Sequence, residues 1–135
     1  MSLMEWNDAY SVKIFSIDSQ HKNLVALVNN LNSAMRQGKG KELMSKVLQD
    51  LISYTKVHFK TEEDLMVKHT YPEYEAHKKE HDDLTAKVLD FYTRFQSGNT
   101  FITVEVMNFL RDWLVNHILG SDKKYGPFFI EKGVR

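Results

Sequence analysis

The stretch VHFKTEEDLM, residues 57–66, places His58 and Glu62 four residues apart in a segment without Gly or Pro. On a helix that spacing stacks two titratable, metal-capable side chains on one face. A second stretch, EAHKKEHDDL, repeats the relation with His77 and His81, while His21 and His117 lie in two further helical segments. Imidazole and carboxylate donors without sulfur suit iron, zinc, manganese or copper. The chain has no cysteine, so disulfides, thiolate zinc sites, iron–sulfur clusters and cysteine nucleophiles are excluded. Two familiar metal motifs are missing: neither His-Glu-x-x-His nor the Glu-x-x-His of ferritin-like carboxylate sites occurs.

These residues need elements to position them. Gly and Pro gather in RQGKGKE, HTYPEYE, QSGNT and LGSDKKYGP and are nearly absent between them. Four helices are thereby predicted, at roughly 19–37, 41–68, 72–96 and 103–120. Each carries an apolar row of helical period, such as Leu24, Val28, Leu31 and Met35 in the first or Leu84, Val88, Phe91 and Phe95 in the third. Pro72 suits the first turn of the third helix, with Glu73 and Glu75 complementing its dipole. Short connections between long helices make antiparallel neighbours. The expected fold is all-α: an up-down-up-down antiparallel four-helix bundle with an extended N-terminal segment, residues 1–135 forming a single domain. Some 15 residues at each end are expected to lie outside the bundle.

The histidines belong to the inward rows. His58 follows Leu51 by seven residues, and His77 and His81 begin the row that continues through Leu84 and Val88. His21 precedes Val25 and Val28, and His117 follows Leu110 and Trp113. In an antiparallel bundle these positions share one end, so five of the six histidines meet at one level. His69, beside the Tyr-Pro turn, is expected to be an exposed bystander. Burying that many rings without partners would cost on the order of 1–3 kcal/mol each, and metal ions taking their lone pairs remove the cost. Five or six such donors are too many for one tetrahedral zinc and suggest two metals.

Composition narrows the function classes. Lys plus Arg equals Asp plus Glu at 18 each, which leaves no basic field to recommend a nucleic-acid partner. No apolar run approaches the roughly 20 residues of a membrane span. The N-terminus has no signal-peptide pattern, so a cytoplasmic protein without membrane insertion is expected.

The residues DSQH at 18–21, HFKTEE at 58–63, YPEYEAHKKEH at 71–81 and HILGSD at 117–122, with the early Trp6 and DWLVNHI, resemble the hemerythrin family, in particular its single-domain bacterial form. The likeness covers essentially the whole chain. It implies a centre of two iron ions in which His77, His81 and His117 hold one ion and His21 and His58 the other. Glu62, Asp122 and a solvent-derived oxo or hydroxo group would bridge them. Two octahedral irons offer one position more than these donors fill, on the side with two histidines, and dioxygen would bind there. Asp122 enters only through this resemblance: five residues beyond His117 is about 140° around an ideal helix, so a bulge or local loosening near Gly120 is expected.

Leu24, Phe59, Trp113, Leu114 and Ile118 lie within a turn of these positions and are candidates for a dry oxygen pocket. Asp18 and Gln20 are candidates to fix the histidine tautomers. The expected function is reversible dioxygen binding for storage, delivery or sensing, by a monomer that is not an enzyme; no signalling module in the sequence favours a free carrier. The alternatives are a di-iron oxidase, peroxidase or nitric-oxide-processing enzyme, or an iron store.

Overall fold

The computed structural model describes residues 3–135; the first two residues of the expected domain lie outside that range. Its long helices are α1 (Phe15–Arg36), α2 (Lys41–Lys68), α3 (Tyr74–Gln96) and α4 (Val104–Asn116), and there is no strand among the described residues. They run up, down, up and down. α1 packs along α2, α2 along α3, and α4 returns beside α1. Between them lies a core that includes Leu24, Val28, Leu31, Leu48, Leu51 and Met107. The links are tight. α1 stops at Gly38, whose φ of 65° is the left-handed cap conformation, with Lys39 N–H donating to Ala34 O at 3.0 Å. α2 stops in the same way at Thr70, a side-chain-bearing residue held at φ 56° because Tyr71 beyond it is buried.

The ends depart from the sequence expectation. α1 begins at Phe15, four residues earlier than periodicity indicates, because Ile14 and Ile17 are drawn into a second apolar cluster with Val12, Met66, Tyr71, Tyr125 and Phe129. Pro72 lies in a turn before α3 rather than in its first helical turn; Tyr74 N–H donates to Tyr71 O at 3.2 Å. The C-terminal residues do not stand apart from the bundle. The chain continues from α4 through a π-helical turn, His117–Asp122, into α5 (Lys123–Glu131), which closes the end where the histidines lie.

The N-terminal segment is strapped to the bundle. Met4 and the Asn29 side chain exchange two hydrogen bonds of 2.9 Å, and Asp18 accepts from Val12 N–H at 2.9 Å and from the Ser11 hydroxyl. Lys123 reaches back from α5 to Ser11 O at 3.0 Å.

Gly126 is where segment and helix touch: a Cβ there would lie 3.0 Å from Val12 O, a backbone atom fixed by the Asp18 bond. It also precedes Pro127, which disfavours a helical residue with a Cβ in front of it. Gly126→Ala is expected to destabilise the protein by about 1 kcal/mol. Overpacking of roughly 1–3 kcal/mol exceeds the roughly 0.5–1 kcal/mol that Ala gains over Gly in a helix. Urea denaturation reads this directly, and an unchanged or raised midpoint would show that the segment can yield.

Candidate metal centre

Three long helices and the π-turn contribute to one buried cluster. α1 supplies His21, α2 His58 and Glu62, α3 His77 and His81, and the π-turn His117 and Asp122; all seven are buried, His21, Glu62 and Asp122 completely. The π-turn explains how residues five apart can converge. Its i→i+5 bonding brings His117 and Asp122 towards the same face, which an α-helix would not. This is the loosening expected near Gly120, spread over six residues.

The donor atoms form two overlapping groups, each with all its atoms within 4.8 Å of one another. Glu62, His77, His81, His117 and Asp122 make one; His21, His58, Glu62 and Asp122 make the other. Asp122 stands between them, with Oδ1 at 2.9 Å from His77 Nε2 and 3.1 Å from His117 Nε2, and Oδ2 at 3.0 Å from His21 Nε2. Glu62 Oε1 lies 3.2 Å from His81 Nε2, and its Oε2 is 3.4 Å from both His58 and His21 Nε2.

Closeness here is not satisfaction. Both ring nitrogens of His21, His77 Nε2, Glu62 Oε1 and both Asp122 oxygens are buried without a hydrogen bond. His81 Nε2 and His117 Nε2 face each other at 3.1 Å, although the Nδ1 atoms of both rings meet carboxylates. Lone pairs thus point at one another around a common centre. Cations satisfy this donor set more fully than hydrogen bonds within it, which leave several of its atoms unpaired. The residues fit a metal pair.

Outside the cluster, acceptors orient the rings. His58 Nδ1 meets Gln20 Oε1 at 2.6 Å, His81 Nδ1 meets Glu63 Oε2 at 2.8 Å, and His117 Nδ1 meets Glu80 Oε1 at 2.9 Å. Ser121 donates to both oxygens of Glu80, and the Tyr125 hydroxyl donates to Glu62 Oε2. Gln20 therefore touches a histidine, while Asp18 does not: its carboxylate holds the N-terminal segment. Sequence reasoning missed Glu63, Glu80, Ser121 and Tyr125. Glu63 and Glu80 adjoin Glu62 and His81 in the chain, a faint signal; the pairing of Glu80 with His117 spans 37 residues and leaves none. His69 is half-buried against Phe129, away from the cluster, rather than exposed.

On the bundle side lies an apolar cavity of about 50 Å³. Leu24, Phe59, Trp113 and Leu114 line it; Ile118 is buried in the adjoining core and does not. Phe59 stacks on the His81 ring at 3.7 Å and Trp113 on His117 at 4.4 Å, so aromatic faces separate the cavity from these imidazoles.

A family model described as the hemerythrin HHE cation binding domain matches residues 12–129. The chain belongs to the hemerythrin family. A bacteriohemerythrin of Methylococcus capsulatus is 40% identical over 128 residues, covering 94% of this chain and 97% of its own. One of Pseudomonas aeruginosa is 37% identical, covering 93% and 80%. A solved wild-type hemerythrin superimposes with a TM-score of 0.90 at 38% identity, covering 93% of this chain and 97% of its own. The match to hemerythrins thus extends from sequence to fold.

The electrostatics set a pH signature. Burial alone would push the His21 ring down, but the Asp122 and Glu62 carboxylates facing it outweigh burial and carry it up to about 10. Burial likewise opposes the rise at His117, which Asp122, Glu62 and Glu80 carry to about 9. Burial raises Glu62 and Asp122, and for Asp122 the Glu62 charge does too; the surrounding histidines win and hold both below the ordinary carboxylate range. In metal-free protein the histidine contribution is complete below the ordinary value of 6.5 and is lost as pH rises through about 9 and 10. The carboxylate contribution is complete above their ordinary range and lost in acid. Metal-free protein should therefore melt lower at about pH 9 than at about pH 6, whereas the stabilisation from added metal grows with pH because cations displace these protons. Melting curves with chelator or with zinc, at both pH values, test this. A chelated protein more stable at the higher pH would show that the histidines hold no such protons.

Proposed function

We propose that this chain binds dioxygen reversibly at a non-heme di-iron centre and serves to store or deliver it. The observation that carries this reading is the pair of donor groups that share both carboxylates but differ in histidines, three against two. We assign His77, His81 and His117 to one iron, His21 and His58 to the other, and Glu62 and Asp122 as bridges. Two ferrous ions so held would supply the electrons for reversible uptake of dioxygen, and the two-histidine side has the fewer protein donors. All seven side chains come from one chain, so a monomer suffices.

The protein's own residues protect that chemistry. Phe59 and Trp113 cover two histidines, and Leu24, one turn beyond His21, adds to the cavity's apolar wall. Tyr125 keeps its phenolic proton: burial, with the charges of Asp122 and Glu62, raises it well above the ordinary range, so it stays a donor to Glu62. The cavity offers no acid or base of its own apart from Lys56, which is exposed at its edge. That favours binding over turnover.

Anaerobic addition of ferrous iron, followed by oxygen and then purging, should give two irons per chain and an absorption band that comes with oxygen and leaves with it. Bleaching straight to a stable ferric product would favour an oxidase or an iron store. Leu24→Asn should leave iron uptake intact but shorten the life of the oxygenated form about tenfold, equivalent to about 1.4 kcal/mol of barrier. An unchanged autoxidation rate would mean that the apolar wall is not what excludes water.

A further inference from the structure

The outer acceptors of the two donor groups differ in charge. In the three-histidine group, His81 and His117 give their Nδ1 protons to the carboxylates Glu63 and Glu80. Two hydroxyl contacts from Ser121, at 2.7 and 2.9 Å, hold Glu80 in place. In the two-histidine group, His58 meets only the neutral amide oxygen of Gln20, and His21 Nδ1 has no partner. The amide is committed to that orientation: Gln20 Nε2 donates to Thr61 Oγ1 at 3.4 Å, and Thr61 in turn donates to Val57 O at 3.0 Å.

A carboxylate behind an imidazole fixes its tautomer and raises the basicity of the nitrogen facing the metal. Hydrogen bonds to an ionised acceptor are roughly twice as strong as neutral ones. Histidine number and outer-shell charge therefore favour the same side.

We propose that the two halves of the site load in a fixed order: the three-histidine half captures a divalent cation first and retains it, and the two-histidine half is filled second and exchanges more readily. Glu80, Glu63 and Gln20 are the positioning residues that set the gap. This rests on reading the cluster as a two-metal site. Stepwise uptake alone is not diagnostic, because a first cation repels a second through the shared carboxylates whatever the order. The order is assigned by which step each outer residue moves.

The test is anaerobic titration of the metal-free full chain with cobalt(II), followed by calorimetry and by the visible spectrum, with folding checked by circular dichroism. Wild type should take up two equivalents in two resolved steps. Glu80→Gln should weaken the first step by about 10–100-fold, the usual effect of losing an outer-shell partner, and leave the second in place. Ser121→Ala, a milder change, should move the same step in the same direction. Gln20→Glu should tighten the second step alone and narrow the gap. Overturning results are Glu80→Gln and Ser121→Ala weakening the later step, or Gln20→Glu tightening the earlier one. Uptake of one equivalent, or none, by wild type would instead overturn the two-metal reading itself.

Discussion

Two carboxylates, Glu62 and Asp122, sit completely buried among five imidazoles at one end of a helical bundle. Taking such charges out of water costs several kcal/mol each after relaxation, and only close, well-oriented partners offset it. The donor set achieves this with protons or with cations, in either case by placing positive charge between the helices. The rest of the structure is organised around keeping those seven groups near one another and away from solvent.

Two apolar clusters do the holding. One runs the length of the bundle between the helices and continues the rows on which the histidines lie, with the apolar cavity set between it and the site. The other is built by α5, the start of α1 and the turn before α3, and it seals the end where the histidines lie. Tyr125 joins the two functions. Its ring packs in the sealing cluster while its hydroxyl reaches Glu62. The part of the N-terminal segment held by Asp18 and Lys123 lies over the same end. Rigidity matters here, because carboxylates shared by two donor groups keep their partners only if the helices carrying them keep their spacing.

The donor set is close to symmetric in its carboxylates and asymmetric in nearly everything else. Three rings face two, ionised outer acceptors face an amide, and aromatic stacks cover His81 and His117. On the proposed reading, one side anchors and the other remains available to a small apolar ligand.

Much of this was legible along the chain because helical periodicity is local. The spacing of His58 and Glu62, or of His77 and His81, fixes a shared face without reference to any other element. Short links then make the helices antiparallel and bring one end of each to a common level. What the sequence could not decide depends on distances between helices. Glu80 meets His117, and Gln20 rather than Asp18 meets His58, because of how α1, α2, α3 and the π-turn pack together. The extension of α1 to Phe15 and the folding of the C-terminus into α5 are likewise tertiary effects. Neither end has a strong local signal, and each becomes helical because the buried cluster of Val12, Ile14, Met66, Tyr125 and Phe129 stabilises it. Asp122 lies between the two cases: its identity follows from resemblance to a family, and its direction comes from a π-turn that α-helical periodicity does not encode.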